Sequence, residues 1–252
     1  MAPLMAAAAL ITGALSDIGR ATARELARAG FAIVLDHRGS DAQAKQLAIS
    51  LERDCGAPKA LAIEADVRDR EQVAALFERA ESELGSIEVL VNNAGVNRDR
   101  PFTELSADDW ETVLETVLGG TFLCSQEFAR RYRGEKGNIV NIGSVTALKG
   151  RPNGANYCSA RAGVVALTKC MALELAPRIR VNTVTPGRID TAELRARYRL
   201  DEPGNLARLE HDVPLARLGR PEDVAETIAF LVGSDRYVTG QNLLVDGGLF
   251  MH

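Results

Sequence analysis

Seven short apolar runs recur along the 252-residue chain, and the segments between them have the periodicity of helices. Short aliphatic runs with few charges are typical of strands that are buried on both faces of a sheet. The predicted strands are Ala7–Ile11, Ala32–Leu35, Ala60–Ile63, Val89–Val91, Asn138–Ile142, Arg180–Val184 and Asn242–Val245. This alternation restricts the chain to a small set of α/β folds.

Helices are predicted between these strands from apolar residues that recur every three or four positions. One helix covers residues 18–29 and ends at Gly30, and a second covers residues 70–84 with Asp69 as its N-cap. A long helix starts at Asp108 or Asp109 and continues to Phe128. The last two cover residues 155–175 and a segment in which Pro221 is the first helical residue.

Repeated strand–helix units with right-handed crossovers build a doubly wound, Rossmann-type α/β fold, here with a seven-stranded parallel sheet flanked by helices. No linker-like stretch interrupts the chain, so we predict a single domain over residues 1–252. Residues 190–220 contain no predicted strand and are expected to form a lid on the substrate side. A β/α barrel is the alternative fold, but it requires eight comparable units.

The charge balance argues against several classes of partner. The chain has 30 Lys and Arg against 34 Asp and Glu, a formal net charge of −4, and no basic block, so neither nucleic acid nor an anionic membrane is an expected partner. No apolar run approaches the ~20 residues of a bilayer span. Residues 1–13 lack a basic segment and are interpreted as leading into a buried strand, not as a signal peptide. The four cysteines form no Cys-x-x-Cys pair, which indicates reduced thiols in a cytoplasmic protein and no metal site.

A glycine-containing turn, TGALSDIG at residues 12–19, joins the first strand to the first helix. Glycines at such a turn let backbone N–H groups approach a pyrophosphate at the helix N-terminus. Gly13 and Gly19 alone are weak evidence, because strand–helix junctions favour glycine for structural reasons. The second strand ends near Asp36 and Arg38, which point in opposite directions: a carboxylate favours NAD, whereas an arginine accommodates the 2′-phosphate of NADP.

Five motifs, in their order and spacing, resemble those of the short-chain dehydrogenase/reductase family. They are TGALSDIG, NNAG at residues 92–95, Ser144 after the fifth strand, Tyr157 on the next helix and PGRIDT at residues 186–191. The resemblance covers nearly the whole chain, through YVTGQNLLVDGG at residues 237–248. Within the family the chain looks most similar to bacterial 3-oxoacyl-carrier-protein reductases and to related sugar or alcohol dehydrogenases.

The resemblance implies a nicotinamide dinucleotide cofactor and assigns residues to each of its parts. The residues expected along the pyrophosphate are Thr12, Gly13, Ser16, Ile18 and Gly19. Those expected at adenine and the adenosine side are Asp66, Val67, Asn92, Ala94 and Gly95. Those expected at the nicotinamide carboxamide are Pro186, Gly187, Ile189 and Thr191.

Two positions near the expected cofactor depart from the family pattern. The acidic position that selects NAD falls on His37, so Arg38 beside it favours NADP, with NAD remaining possible. Asp17 replaces a usual glycine. A carboxylate near phosphates is unfavourable unless it turns away to cap the helix.

The resemblance also implies the reaction, which is the reduction of a carbonyl to a secondary alcohol. In the family a tyrosine donates the proton, a serine holds the carbonyl oxygen, a lysine assists the tyrosine and grips the ribose, and an asparagine completes a water relay. Ser144 and Tyr157 match this pattern, but Arg161 replaces the lysine and Val117 the asparagine. Arg161 keeps the positive charge, yet a guanidinium stays protonated and is a poor proton shuttle.

Two hypotheses follow from these residues. The first is an NADP-preferring reductase or dehydrogenase that acts on a small-molecule carbonyl or alcohol through Ser144, Tyr157 and Arg161. The second is a catalytically impaired dinucleotide-binding protein with a structural or regulatory role. A hydrolase with Ser144 as nucleophile is not favoured, because Ser144 lies outside a G-x-S-x-G turn. The family implies a homotetramer; the apolar stripe over residues 110–128 suits packing between subunits, although a core-facing stripe would look identical.

Overall fold

The computed structural model of the protein describes residues 7–233 and 236–251. Within these residues, seven parallel strands form one open sheet in the order β3-β2-β1-β4-β5-β6-β7. They are β1 (Ala8–Ile11), β2 (Ala32–His37), β3 (Ala60–Glu64), β4 (Ile87–Asn92), β5 (Gly137–Ile142), β6 (Ile179–Pro186) and β7 (Asn242–Val245). The predicted doubly wound α/β fold is confirmed, and the barrel alternative is wrong because the sheet does not close. Residues 1–6, on which part of the signal-peptide interpretation rests, lie outside the described residues.

Helices connect the strands on both faces of the sheet. They are α1 (Asp17–Arg28), α2 (Asp41–Cys55), α3 (Arg70–Leu84), α4 (Ala107–Leu114), α5 (Gly120–Arg131), α6 (Thr146–Lys149), α7 (Ala155–Leu175), α8 (Ala192–Tyr198), α9 (Asn205–His211) and α10 (Pro221–Val232). The bounds predicted for α3 and α7 match the structure, and Pro221 is the first residue of α10. Asp69 caps α3 by accepting hydrogen bonds from the N–H groups of Glu71 and Gln72.

The structure corrects the long helix predicted from Asp108 or Asp109. The helix starts at Ala107, because the Ser106 side chain accepts a hydrogen bond from the N–H of Asp109. A π-helical segment, Glu115–Gly119, then separates α4 from α5. Single π-helical turns within α-helices occur often at functional sites.

The two faces of the sheet carry separate cores. Ala9 and Ile11 of β1 pack into one core with residues of α1 and α10, and Ala8 and Leu10 pack into the other with residues of α3 and α5. Successive side chains of a strand point to opposite faces, so one run of four apolar residues supplies both cores. Burial on both faces explains why the strands read as continuous apolar runs.

The order of the strands creates a crevice at their carboxyl ends. The chain proceeds outward from β1 to β3 and returns to β4 on the other side of β1, so the segments after β1 and β4 diverge. Helices α8 and α9 lie within residues 190–220, the segment predicted as a lid. Across the described part of the chain, no helix combines the length and apolar character needed to cross a bilayer.

Candidate active site

A cleft of about 670 Å³ lies at the carboxyl ends of β1, β4, β5 and β6. Ten of the residues named from the sequence line it, namely Ser16, Ile18, Gly95, Ser144, Tyr157, Arg161, Pro186, Gly187, Ile189 and Thr191. The fold thus brings residues from both ends of the chain to one cavity. No group of three or more Cys, His, Asp and Glu side chains that could hold a metal ion occurs among the described residues.

The turn after β1 depends on two glycines. Gly13 has a φ of +58°, and a Cβ on it would lie 2.8 Å from the Cα of Ala94. A Cβ on Gly19 would lie 2.7 Å from the carbonyl oxygen of Gly13. Both positions therefore require glycine, and the turn brings the N-terminus of α1 to the cleft, where its first N–H groups can bind an anion. This backbone fits the pyrophosphate of a dinucleotide.

Ser16, and not Asp17, caps α1. The Ser16 Oγ accepts a hydrogen bond from the N–H of Gly19 at 3.1 Å. The Asp17 carboxylate accepts one from the N–H of Ala192, the first residue of α8, at 2.8 Å. Asp17 therefore does not cap its own helix, and its carboxylate binds the start of α8.

Two of the residues expected to line the cofactor make hydrogen bonds that hold the loops of the site in place. Thr12 is buried, and its Oγ1 accepts hydrogen bonds from the N–H groups of Asn93 and Ala94, both at 3.0 Å. Asn92 points into the protein, where its Nδ2 donates to Ser125 Oγ at 2.9 Å and to Asn141 Oδ1 at 2.8 Å. These bonds join β1 to β4 and β4 to β5, so both side chains position the loops that line the cleft.

Asn93 is a site residue that the sequence reasoning did not single out. Its Nδ2 donates to the carbonyl oxygens of Thr12 and Gly13, at 2.9 and 2.8 Å, and lies 3.1 Å from Ser16 Oγ. The side chain therefore holds the glycine turn against the end of β4. Its place in the NNAG motif could have marked Asn93 as a candidate. The motif did not show its contact with the glycine turn, because that turn lies 80 residues away in the chain.

Asp36 occupies the end of β2 beside the glycine turn. Its side chain is 2% exposed, and its Oδ2 accepts a hydrogen bond from the N–H of Gly13 at 3.1 Å. Burial raises the pKa of Asp36 to about 8; the hydrogen bond from Gly13 opposes this rise, and the nearby charge of Asp66 adds to it. Asp36 is thus predominantly neutral at pH 7. The neighbouring His37 side chain is fully buried.

Two arginines converge on Asp66 at the expected adenosine end. Arg68 Nη2 lies 2.6 Å and Arg38 Nη1 3.0 Å from Asp66 Oδ2. The hydrogen bonds from Arg68 are the main reason why the pKa of Asp66 falls to about 2. The Arg38 side chain is 60% exposed, which leaves it accessible to a ligand. Val67, the next residue after Asp66, packs against Gly120.

Ser144, Tyr157 and Arg161 line the same cleft. Ser144 follows β5, whereas Tyr157 and Arg161 lie one turn apart on α7 and so share a face of that helix. The guanidinium carbon of Arg161 lies 5.3 Å from the centre of the Tyr157 ring. Arg161 Nη1 donates to the carbonyl oxygen of Ile142 at 2.5 Å, which anchors the buried guanidinium between α7 and β5.

The surroundings of Arg161 are shaped to its guanidinium. A Cβ on Gly95 would lie 2.6 Å from Arg161 Nη2, so a side chain at position 95 would require the end of Arg161 to shift. Val117, on the π-helical segment, is fully buried in an apolar cluster with Val113, Ala160 and Val164. This position offers no polar side chain at the site.

Arg151 is a second cation at the Tyr157 ring that no motif indicated. Its guanidinium carbon lies 5.1 Å from the ring centre. Asp99 and Asn97 hold it: Asp99 Oδ1 and Asn97 Oδ1 each lie 2.8 Å from Arg151 Nη2. Because Arg151 and Asp99 are 52 residues apart, only the folded chain reveals the pair.

The same loop after β4 also contacts α8. Asn97 Nδ2 donates to Glu193 Oε1 at 2.9 Å, and Arg197 Nη1 lies 3.3 Å from Asp99 Oδ2. Glu193 and Arg197 belong to α8 and line the cleft. Helix α8 therefore closes one side of the cavity through contacts with Asp17 and with this loop.

Comparisons with known proteins agree with this geometry. Residues 13–250 match the family model described as Enoyl-(Acyl carrier protein) reductase. The 3-oxoacyl-[acyl-carrier-protein] reductase of Synechocystis sp. is 38% identical over 255 residues, covering 100% of both chains. The corresponding reductase of Staphylococcus aureus, FabG, is 38% identical over 98% of this chain and 99% of its own.

Solved structures give the same result. A double mutant of a Serratia marcescens short-chain dehydrogenase/reductase superimposes with a TM-score of 0.88 at 33% identity, over 98% of this chain and 99% of the other. A Brucella melitensis protein described as short-chain dehydrogenase/reductase SDR:Glucose/ribitol dehydrogenase also has a TM-score of 0.88, at 29% identity over 98% and 97% of the chains. The chain therefore belongs to the short-chain dehydrogenase/reductase family and is an NAD(P)-dependent oxidoreductase that acts on CH–OH groups.

Proposed function

We propose that the protein is an NADP-preferring reductase that converts a ketone, such as a 3-oxoacyl thioester or a related carbonyl compound, into a secondary alcohol. The observation that carries this proposal is the placement of Ser144, Tyr157 and Arg161 on one cleft with the glycine turn and residues 186–191. Homologues named 3-oxoacyl-[acyl-carrier-protein] reductase over the full chain support the same reaction class.

The side chains at the cleft divide the work of carbonyl reduction. A bound nicotinamide dinucleotide supplies the hydride. Ser144 donates a hydrogen bond to the carbonyl oxygen and so stabilises the negative charge that develops there. Tyr157 delivers a proton to that oxygen from its phenol. Both groups reach the cavity from rigid elements, the end of β5 and the first turn of α7.

Arg161 acts as a fixed positive charge and not as a proton carrier. Its guanidinium is anchored to the Ile142 carbonyl and faces the Tyr157 ring. A guanidinium stays protonated in proteins, so it supplies positive charge beside the phenol without exchanging protons with it. Because Val117 is apolar, the proton that refills Tyr157 follows a route other than a water held at position 117.

The adenosine end favours NADP. The Asp36 carboxyl is buried, its pKa is about 8, and it is engaged by Gly13, so at pH 7 it offers little negative charge to oppose a 2′-phosphate. The largely exposed guanidinium of Arg38 stands at the end of the same strand and can pair with that phosphate. We expect Arg38→Ala to weaken NADPH binding about tenfold or more while NADH binding changes little.

This cofactor preference is measured by fluorescence titration of both reduced dinucleotides. Arg53→Ala, which removes an exposed arginine of α2 that pairs with Asp54, is the matched control and should leave both affinities unchanged. Equal weakening of NADPH and NADH binding by Arg38→Ala would contradict the proposed role, and tighter binding of NADH by the wild-type protein would contradict the preference itself.

The reaction is tested by following NADPH oxidation with 3-oxoacyl thioesters, diketones and sugars. Wild-type protein should turn over at least one of these classes, and Tyr157→Phe should lower kcat by about a hundredfold or more. Absence of turnover across the panel, or full activity of Tyr157→Phe, would overturn the assignment. Matching unfolding curves of wild-type protein and Tyr157→Phe would show that the activity is lost because the phenol hydroxyl is missing and not because the fold is disrupted.

A second candidate function is a dinucleotide-binding protein with a structural or regulatory role. The fully buried, apolar environment of Val117 and the anchored guanidinium of Arg161 favour it, because together they remove the family's proton relay. In that case the wild-type protein binds NADPH with no turnover. The double variant Val117→Asn/Arg161→Lys discriminates further: new turnover in it indicates a scaffold that still accepts substrate.

We further propose that residues 190–220 act as a lid. The hydrogen bonds and the ion pair that join α8 to Asp17, Asn97 and Asp99 support this role. The protein assembles as a homotetramer, which the exposed Trp110 and Phe122 side chains support. All four cysteines are free, which suits the reducing conditions of the cytoplasm.

A further inference from the structure

The hydroxyl of Ser144 has two hydrogen-bond contacts with one neighbouring residue. Thr146, the first residue of α6, places its Oγ1 2.9 Å from Ser144 Oγ. The backbone N–H of Thr146 donates to the same Ser144 oxygen at 3.3 Å. Both residues line the cleft that also contains Tyr157. No motif in the sequence pointed to Thr146.

The number of hydrogen bonds that a hydroxyl can make indicates which group donates in these contacts. A serine hydroxyl has one hydrogen to donate and two lone pairs that accept. The N–H of Thr146 occupies one lone pair, and the Thr146 hydroxyl can occupy the other by donating its hydrogen. With both lone pairs occupied, the hydrogen of Ser144 is left for a carbonyl oxygen in the cleft.

We propose that Thr146 is a positioning residue that orients the Ser144 hydroxyl as a hydrogen-bond donor to the substrate carbonyl oxygen. This inference rests on the proposed function of Ser144 and Tyr157. The bound substrate decides the direction of the pair: when its oxygen accepts from Ser144, Thr146 must donate to Ser144 and cannot accept from it. Thr146 then contributes through Ser144 without touching the reacting atoms.

The hydrogen bond from Thr146 to Ser144 should have its largest effect in the transition state. Successive hydroxyls in a chain of hydrogen bonds polarise one another, so a donor behind Ser144 strengthens the bond that Ser144 makes. Negative charge grows on the substrate oxygen during carbonyl reduction, and a stronger donor stabilises that charge more than it stabilises the neutral ground state. The contribution of Thr146 should therefore appear in kcat.

The test compares Thr146→Val, which has nearly the same shape but no hydroxyl, with Thr146→Ser, which keeps the hydroxyl. We expect Thr146→Val to lower kcat about fivefold for the substrate found with wild-type protein, with little change in its KM. Thr146→Ser should restore most of the loss. The matched control is Thr227→Val on α10, whose hydroxyl donates to the Asp223 carbonyl away from this cleft; it should leave kcat unchanged.

Two further measurements separate positioning from a structural effect. The affinity for the dinucleotide and the midpoint of thermal unfolding should be the same in wild-type protein and Thr146→Val. An unchanged kcat in Thr146→Val, a loss confined to KM, or no rescue by Thr146→Ser would overturn the role of Thr146 while leaving the reductase assignment in place. Wild-type protein without turnover on any carbonyl would overturn the proposed function, and this inference with it.

Discussion

At the scale of single residues, the buried guanidinium of Arg161 joins several parts of the site. The guanidinium extends from α7 to the Ile142 carbonyl and passes so close to Gly95 that a side chain there would require the end of Arg161 to shift. It also faces the Tyr157 ring, which Arg151 approaches as well. The arginine at position 161 therefore lies against the end of β5, the NNAG loop and the Tyr157 ring at once.

Asp36 couples the stability of the protein to pH. An unfolded aspartate has a pKa near 4, whereas the folded-state pKa of Asp36 is about 8. Between these values the folded chain keeps a proton that the unfolded chain releases, so the contribution of this group to the free energy of unfolding is present below pH 4 and is lost as the pH rises to 8. Asparagine has no such proton and can still accept the hydrogen bond from Gly13.

We therefore expect Asp36→Asn to become progressively more stable than wild-type protein between pH 4 and pH 8, by at least about 2 kcal/mol at pH 8. Urea unfolding of both proteins without dinucleotide, at pH 5, 6, 7 and 8, measures the difference. All other titrating groups are shared and cancel. A difference that stays constant with pH would mean that Asp36 is ionised in the folded protein throughout this range.

At the scale of elements, the start of α1 combines two tasks in one turn. The Ser16 hydroxyl caps the helix through the N–H of Gly19 and donates to the carbonyl of Gly13, while Asn93 donates to the Ser16 oxygen. Helix α2 begins differently: Ser40 stands at its N-cap position without a side-chain hydrogen bond to the helix. The two serines therefore allow a comparison between an N-cap residue whose side chain bonds to its helix and one whose side chain does not.

Ser16→Ala should lower the free energy of unfolding by about 1 kcal/mol, because it leaves an N–H of the first turn of α1 without its acceptor. Ser40→Ala should change it by no more than about 0.5 kcal/mol. Both values come from urea unfolding of the protein without dinucleotide. Equal effects of the two substitutions would show that the cap bond of Ser16 contributes nothing specific.

At the scale of the whole molecule, α4 and α5 present two different faces. Val113, Cys124 and Phe128 are buried in the core, whereas Trp110 is 36% and Phe122 41% exposed. The apolar stripe noted in the sequence is thus divided between the interior and the surface. Large exposed apolar side chains on neighbouring helices are suited to contacts between subunits.

If these helices form the subunit contact of the proposed homotetramer, Phe122→Glu should dissociate it into smaller species, because an unpaired charge would be buried there. Size-exclusion chromatography with light scattering measures the mass. Ile49→Glu, a change at an exposed apolar side chain of α2, is the control and should leave the assembly intact. A monomeric wild-type protein contradicts the proposed tetramer, and a Phe122→Glu variant that remains tetrameric places the contact elsewhere.

Local sequence patterns predicted most of the fold, because the cap residues, terminal glycines and apolar runs that define an element lie within it or directly beside it. The bounds of α3 follow from the Asp69 cap and from Gly85 after its last turn, and the strands follow from burial on both faces. Helix α2 escaped prediction because two of the four residues on its buried stripe, Ala44 and Ala48, are alanines, which give little apolar contrast. The π-helical segment Glu115–Gly119 carries no local signal that separates it from an ordinary helix.

Residue patterns alone predicted the strand–helix order and the glycine turn after β1, and they singled out Ser144, Tyr157 and Arg161, because short-range sterics, capping and motif spacing depend on neighbouring residues. The contacts that these groups make depend on how the whole chain packs. The bond from Asp17 to α8, the buried neutral carboxyl of Asp36, the position of Arg151 at Tyr157 and the pairing of Ser144 with Thr146 depend on directions and burial. Those quantities arise when distant segments pack together, and no local pattern contains them.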